Sequence, residues 1–205
     1  LNHPNICTIY EIAEHEGLEV TLRGWVYNTR SSGAVHFALV RDGTGVIQCV
    51  AVRGVTPDGV FSLAERLTQE SAVVVSGAVR KDRRAPSGYE LTLTDLQVVQ
   101  EAHNYPITPK EHGPDFLLGH RHLWVRSARQ HAILRVRAQV ERAIRNFLDE
   151  EGFVLTDSPI LTPAACEGTS TLFETEYFGE KAFLSQSGQL YVEATAMAFG
   201  RVYCF

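Results

Sequence analysis

Apolar and polar side chains alternate at every second position through much of the first hundred residues, a pattern typical of β-strands. In the first predicted strand, Val20, Leu22 and Val26 share one face, while Arg23 and Trp25 share the other. Further strands are predicted over residues 35–40, 46–52, 72–79 and 89–99. Polar and glycine-rich turns separate the first three strands, which indicates hairpins.

The period of the pattern changes after the third strand. Val60, Phe61 and Leu67 recur at helical spacing behind Pro57, so one helix is predicted between the third and fourth strands. Five strands with a helix in that place follow the order of an OB-fold, a small all-β barrel that commonly binds oligonucleotides. An SH3-like barrel has similar strands but does not place a helix there. We therefore predict an OB-fold domain over residues 1–102.

The next segment, residues 103–126, is predicted to be a hinge or linker. Its Tyr105-Pro106, Thr108-Pro109 and Gly113-Pro114 pairs interrupt regular structure. Its histidines follow no spacing typical of a zinc site, so we expect no metal there.

Residues 127–205 are predicted to form part of an α+β domain with a mostly antiparallel sheet. Apolar residues from Ser127 to Glu151 lie on one stripe of a long amphipathic helix, which Gly152 ends. Pro159 interrupts the strand predicted over residues 153–161. Two more strands (172–177 and 182–186), a helix (189–199) and a last apolar strand (202–205) follow.

Composition and charge narrow the function without naming it. The 205 residues carry a net charge of −5, so any contact with RNA must rest on local patches such as the Arg80–Arg84 loop. No apolar run is long enough for a membrane helix, and the four scattered cysteines suggest neither a disulfide framework nor a zinc site. Walker, GxGxxG and GxSxG motifs are absent from the sequence. Because the chain begins at Leu1 and stops within an apolar run, we expect a fragment of a longer protein.

Several segments resemble one enzyme family in the same order along the chain. Gly152-Phe153 and the run from Thr156 to Pro163 resemble motif 1 of class II aminoacyl-tRNA synthetases. Glu167-Gly168-Thr169 and the run from Ser185 to Tyr191 resemble the amino-acid pocket of the aspartyl/asparaginyl subgroup. The resemblance covers roughly residues 8–205. It implies a homodimer formed through the long helix and the strand containing Pro159.

The choice between aspartate and asparagine depends on one position of the pocket. In aspartyl enzymes, the run similar to this one follows a serine-proline-glutamine-leucine-tyrosine-lysine pattern. The lysine of that pattern contacts the substrate carboxylate. Here Gly188 stands in place of the proline and Val192 in place of the lysine, and Glu193 follows. A pocket without that cation loses the charge-assisted bond to a carboxylate, whereas Glu193 can accept from a carboxamide NH₂. These residues favour the asparaginyl members of the subgroup. The alternative is that Val192 only packs within the helix and that Glu193 points into solvent, with neither residue contacting a substrate.

The resemblance also implies the residues that would hold the substrates. Glu167 would bind the α-amino group from a mobile loop, and Gln189 would bond the α-amino or carboxylate group, beside Ser187 in the same motif. On the barrel, Arg30, Phe37 and Gln48 would read the anticodon. Phe37 would stack on a base, an interaction worth about 1–3 kcal/mol per base; a core position for Phe37 is the alternative. Gln48 would pair with a uracil edge, and Arg30 would contact base or phosphate.

The implied function is a cytoplasmic ligase that joins asparagine to tRNA(Asn) through asparaginyl-adenylate. Catalysis would rest on arginines and Mg²⁺ around ATP, groups that belong to family motifs 2 and 3. Neither motif is present in residues 1–205, so we expect no catalytic residue in this chain and no adenylate formation by it alone. Two alternatives stay open at this point: an aspartyl enzyme that charges one or both tRNAs, and a non-catalytic OB-fold RNA-binding module.

Overall fold

Five strands close the barrel that the alternating pattern predicts. In this computed structural model, which describes residues 8–108, 110–163 and 172–205, they are β1 (Glu19–Ser32), β2 (Val35–Arg41), β3 (Val46–Val52), β4 (Ala72–Lys81) and β5 (Tyr89–Gln100). The order around the barrel is β1-β2-β3-β5-β4, with β3 and β5 parallel and the other neighbours antiparallel. Helix α1 (Asp58–Glu65) lies between β3 and β4 in sequence, and a 3₁₀ helix (Ile9–His15) precedes β1. The OB-fold prediction is confirmed.

The barrel encloses a continuous apolar core. Leu22, Ile47 and Leu91 are fully buried, as the alternation along their strands requires. Burying one such side chain contributes roughly 1.5–3 kcal/mol. Gly24 lies where β1 passes close to β2, and a Cβ at this residue would overlap the carbonyl oxygen of Arg41. The first strand therefore needs a glycine at this position of its inner face.

The chain divides into two units, residues 1–112 and 113–205. The second unit contains α2 (Pro114–Gly119), α3 (Arg121–Trp124), α4 (Ala128–Glu150) and α5 (Gln189–Phe199). Its strands are β6 (Val154–Leu155), β7 (Leu161–Thr162), β8 (Glu174–Tyr177), β9 (Glu180–Leu184) and β10 (Val202–Tyr203). An antiparallel sheet has the order β7-β9-β8, while β6 and β10 form a separate parallel pair.

The long helix begins and ends at the residues that the sequence predicts. The Ser127 side chain accepts a hydrogen bond from the backbone N–H of Gln130 at 3.4 Å, which caps α4 at its start. Gly152 follows the helix with φ of +80°, a conformation that glycine adopts without strain. The helix predicted over residues 189–199 is also present as α5.

Two expectations for the second half of the chain need correction. The segment predicted as irregular linker contains α2 and α3, because Pro114 occupies the first turn of α2, where its missing N–H costs nothing. The strand predicted over residues 153–161 is limited to β6 and the start of β7, and the segment between them, which contains Pro159, has no regular structure. The mostly antiparallel sheet is confirmed by β7-β9-β8, and the short β6–β10 pair is the parallel part.

Among the helices described, none combines the length and apolar character that crossing a bilayer requires.

Candidate functional site

A groove on the barrel wall brings together the three residues predicted to read RNA. Arg30 on β1 faces Phe37 on β2 as a cross-strand partner, and Gln48 lies on the next strand, β3. The guanidinium carbon of Arg30 is 4.1 Å from the centre of the Phe37 ring. Arg30 Nη2 donates to Gln48 Oε1 at 2.9 Å. Phe37 is half-buried, lies outside the barrel core and lines the groove, with the Arg30 guanidinium over its ring.

Glu90 on β5 completes this arrangement, and sequence reasoning missed it. Its side chain is 3% exposed, and its Oε2 accepts from Gln48 Nε2 at 3.1 Å. Its other oxygen accepts from Arg80 Nε at 3.0 Å and from Arg80 Nη2. Glu90 is the register partner of Gln48 in the parallel β3–β5 pairing. That pairing joins strands distant in sequence, so no local pattern could have identified Glu90.

The neighbours of Gln48 fix the orientation of its amide. A carboxylate only accepts hydrogen bonds and a guanidinium only donates them. The amide nitrogen must therefore face Glu90, and the amide oxygen must face Arg30. One N–H and one acceptor lone pair of Gln48 stay uncommitted by these bonds. Such an adjacent donor and acceptor complements the edge of a uracil base.

The basic loop between β4 and β5 presents fewer unpaired cations than its sequence indicates. Arg80 is bonded to Glu90, and Arg84 donates to Asp82 from its backbone N–H, Nε and Nη2 at 2.8–3.1 Å. The hydrogen bonds from Arg84 lower the pKa of Asp82 to about 2, so the pair stays charged at neutral pH. Within the described part of the chain, Lys81 and Arg83 make no ion pair.

The second unit carries the residues predicted to bind an amino acid. Gln189 and Glu193 lie one turn apart on α5, and Gln189 Nε2 donates to Glu193 Oε1 at 3.2 Å. The Ser187 hydroxyl accepts from the backbone N–H of Gln189 at 3.2 Å, just before the helix. Val192 is half-buried, while Ser187, Gln189 and Glu193 are exposed. The predicted partner Glu167 lies outside the described residues.

Gly188 fixes the start of α5 through a close approach that the sequence did not reveal. A Cβ on Gly188 would overlap the Ser158 hydroxyl oxygen and lie 2.6 Å from Cys204 Sγ. The Ser158 hydroxyl also donates to the carbonyl oxygen of Gly188 at 3.3 Å. A side chain at this residue has no room, so the difference from the aspartyl pattern has a steric basis.

The remaining predictions concern the dimer and metals. Pro159 is exposed on the segment between β6 and β7. Along α4, apolar side chains are also exposed, with Val136 63%, Val140 52% and Phe147 61% accessible. No three histidine, cysteine, aspartate or glutamate side chains of the described residues converge on a point that suits a metal ion.

Two protein families match the chain, one for each half. The OB-fold nucleic acid binding domain matches residues 20–99, and the class II tRNA synthetases (D, K and N) match residues 113–205. The first match agrees with the barrel and its groove, and the second covers α2 through β10.

Individual relatives of known function agree with both matches. The chain is 58% identical to the asparagine–tRNA ligase of Koribacter versatilis over 98% of its own length, and 57% identical to that of Thermus thermophilus over 96%. It covers 46% and 45% of those proteins, so it spans about half the length of the curated relatives it matches. The crystal structure of asparaginyl-tRNA synthetase from Pyrococcus horikoshii, complexed with asparaginyl-adenylate, superposes with a TM-score of 0.89 at 37% identity, covering 97% of this chain and 46% of that one.

Proposed function

We propose that the chain belongs to the class II tRNA synthetases of the D, K and N group. From this premise, we infer that the protein takes part in attaching asparagine to tRNA(Asn). The observation that carries the proposal is the groove in which Arg30, Phe37 and Gln48 meet. The asparagine–tRNA ligase names of the relatives favour asparagine over aspartate. In this function the barrel reads the anticodon and the second unit contributes part of the amino-acid pocket.

The groove suits a uracil from the anticodon loop. Asparagine codons begin with two adenines, so the matching anticodon carries uracil at the two complementary positions. One such base stacks on Phe37 while its edge pairs with the uncommitted donor and acceptor of Gln48. Glu90 is a positioning residue, because it acts on the base only through the amide of Gln48. Lys81 and Arg83, which alternate in sequence with the groove residues Arg80, Asp82 and Arg84, supply phosphate contacts.

The residues of α5 suit a substrate with a neutral side chain. Glu193 accepts hydrogen bonds from the carboxamide NH₂ of asparagine and repels the carboxylate of aspartate. Val192 offers no cation to an acidic side chain. Gln189, which is bonded to Glu193, binds the α-amino or carboxylate group together with Ser187 and the loop residue Glu167.

The reaction itself needs more than this chain. The asparagine carboxylate displaces pyrophosphate from the α-phosphate of ATP, and a terminal tRNA hydroxyl then takes the asparaginyl group and releases AMP. The resemblance places the arginines and Mg²⁺ around ATP in family motifs 2 and 3, and this chain covers 46% of a curated relative. We therefore assign ATP and Mg²⁺ binding to residues outside this chain. We assign the exposed apolar stripe of α4 and the Pro159 segment to a homodimer interface, and the protein to the cytoplasm.

The anticodon assignment is tested by fluorescence anisotropy with anticodon stem–loop RNA. Phe37→Ala should weaken binding by about 1–3 kcal/mol, roughly 5- to 150-fold, because one stacked base is lost. Gln48→Ala should reduce the preference for uracil over cytosine at the stacked position. Tyr10→Ala is the matched control, since Tyr10 is an aromatic residue of the same unit that is 83% exposed. Equal effects of Phe37→Ala and Tyr10→Ala would refute the assignment.

The amino-acid assignment is tested by ATP–pyrophosphate exchange. This chain alone should give no exchange above background, whereas a protein of the relatives' full length with this sequence as its matching half should respond to asparagine. In that longer protein, Glu193→Gln should narrow the preference for asparagine over aspartate. Glu174→Gln, an exposed carboxylate on β8 of the same unit, should leave the preference unchanged. Exchange with aspartate that exceeds exchange with asparagine would contradict the proposal.

A further inference from the structure

Arg30 occupies the position in the groove that the proposed function gives to a base. Its guanidinium lies 4.1 Å from the centre of the Phe37 ring. Arg30 is exposed and Phe37 is half-buried, so the guanidinium covers the ring from the solvent side. Arg30 also donates to Gln48 Oε1 at 2.9 Å, so it occupies one of the two lone pairs of the oxygen that would accept from a uracil N–H. In the free protein, one side chain therefore covers the Phe37 ring and engages the amide oxygen of Gln48.

The partners that hold Arg30 in this position are uncharged. Glu90 is the carboxylate nearest to this network, and its oxygens are bonded to Gln48 and Arg80. Within the described residues, Arg30 makes no ion pair. A phosphate group offers a guanidinium two charge-assisted hydrogen bonds, which are stronger than bonds to neutral acceptors. An RNA phosphate is thus a better partner for Arg30 than the ring and amide it now contacts.

From this geometry we propose that Arg30 is an exchangeable cover of the groove, a device that rests on the anticodon-reading function proposed above. When RNA binds, the guanidinium leaves the Phe37 ring and Gln48 Oε1 and moves to a backbone phosphate. The base then takes the vacated ring face, and the Gln48 oxygen accepts from the base. The exchange ties base recognition to the presence of a charged backbone, so the groove stays closed to free bases and neutral ligands.

The proposal predicts opposite effects of Arg30→Ala on charged and uncharged RNA. The two probes are a uracil trinucleotide with normal phosphates and the same trinucleotide with methylphosphonate linkages, each labelled and titrated into this chain. The normal probe should bind Arg30→Ala more weakly, because a phosphate contact is lost. The methylphosphonate probe should bind Arg30→Ala roughly tenfold more tightly, because a stacking contact and a hydrogen bond no longer have to be broken.

Lys81→Ala is the control that separates covering from simple phosphate binding. Lys81 follows the groove residue Arg80 at the end of β4, makes no ion pair in the described part of the chain, and does not line the groove. Its removal should weaken the normal probe and leave the methylphosphonate probe unchanged. If Arg30→Ala behaves in the same way as Lys81→Ala, or weakens both probes, the covering role is refuted. If neither probe binds the unsubstituted chain in a manner that depends on Phe37, the anticodon function itself has failed.

A spectroscopic measurement tests the resting position of Arg30 directly. A guanidinium stacked on a ring shifts its Nε–H and neighbouring methylene proton resonances upfield. These resonances should move downfield in Phe37→Leu and, in the unsubstituted chain, on titration with the normal trinucleotide. Upfield-shifted resonances that persist in saturated complexes would show that Arg30 stays on the ring, and would overturn the exchange.

Discussion

The two units of this chain differ in how much of their apolar surface they bury. In the barrel, Leu22, Ile47 and Leu91 belong to one continuous core, and even the polar Gln48 and Glu90 are buried. In residues 113–205, the only described side chains classed as buried are Thr162 and Tyr203. Helix α4 has 23 residues and none of them is buried. Both units have regular secondary structure, but among the described residues of this chain, which covers 46% of a curated relative, only the barrel encloses an apolar core.

This difference affects the two candidate sites. The groove residues stand on packed strands, so the Arg30–Gln48–Glu90 bonds have a rigid support. Gln189 and Glu193 lie on a helix whose described side chains are all at least partly accessible. Secondary structure therefore follows the local sequence pattern. Fixed distances between binding side chains also require that the strands or helices carrying them are packed against a core.

The largest expected contrast is in thiol reactivity. Burial raises the pKa of the Cys49 thiol to about 12, whereas Cys204 in the second unit is half-buried. With Cys7 and Cys166 replaced by serine, Cys49 should be labelled at least about a thousandfold more slowly than Cys204, since its exposure requires opening of the barrel. Labelling kinetics with a chromogenic disulfide at pH 8 measure the ratio. Comparable rates would mean that the barrel core opens as readily as the second unit.

The same thiol gives a pH dependence with a defined sign. The folded barrel keeps the Cys49 proton up to about pH 12, whereas an unfolded chain releases it near pH 8.5. The contribution of Cys49 to stability is therefore fully present below about pH 8.5 and is lost as the pH rises toward 12. Urea unfolding of Cys49→Ala should lose this alkaline dependence. If the unfolding free energy of Cys49→Ala still fell with rising pH by the same amount, the alkaline dependence would belong to other groups.

The next contrast concerns leucines in the two units. Leu91→Ala, at a fully buried residue, should lower the free energy of unfolding of the barrel by about 2–5 kcal/mol. Leu134→Ala on α4, where the side chain is 43% exposed, should change the stability of this chain by about 0.5 kcal/mol or less. Each unit holds one tryptophan, Trp25 or Trp124, so fluorescence of single-tryptophan variants follows each unfolding separately. A loss at Leu134 equal to that at Leu91 would show that α4 is packed in solution.

A smaller effect tests whether any part of the second unit is tightly packed. Gly188→Ala should cost about 1–3 kcal/mol, because its Cβ overlaps the Ser158 hydroxyl and crowds Cys204. Adding Cys204→Ala should recover part of the loss, and the double-mutant cycle measures the coupling. Gly119→Ala is the control, since a Cβ there meets nothing within 4 Å. Additive effects at residues 188 and 204 would exclude the contact.

The smallest effect concerns the bond between β10 and α4. The Tyr203 hydroxyl donates to Asp149 Oδ1 at 2.8 Å, and burial together with this bond raises the pKa of the phenol. Tyr203→Phe should cost roughly 1 kcal/mol in the second unit and nothing in the barrel. Titration of the phenol by ultraviolet absorbance should also show ionisation above the ordinary tyrosine range. A normal titration would mean that the bond does not persist in solution.

Much of the fold follows from local sequence pattern. The alternation around Val20 and Leu22, the helical spacing at Val60 and the capping pair Ser127 and Gly152 correspond to elements found in the structure. The predictions that differed were those in which proline was read as a simple interruption. Pro114 starts a helix, and the strand expected around Pro159 is two short pieces. A proline has no backbone N–H to donate, which is tolerated both in the first turn of a helix and at the edge of a sheet. Only the surrounding structure decides which of these places the proline occupies.

The sequence by itself determined the periodicity of each element, the barrel order and the family resemblance that singled out Arg30, Phe37 and Gln48. The tertiary structure alone decided that these three side chains touch, that Glu90 orients Gln48, that Arg84 is neutralised by Asp82, and that Gly188 has no room for a side chain. The physical reason is the range of the interactions. Periodicity and capping act within a few residues, whereas the parallel β3–β5 register and the approach of Cys204 to Gly188 join residues that only the closed chain brings together.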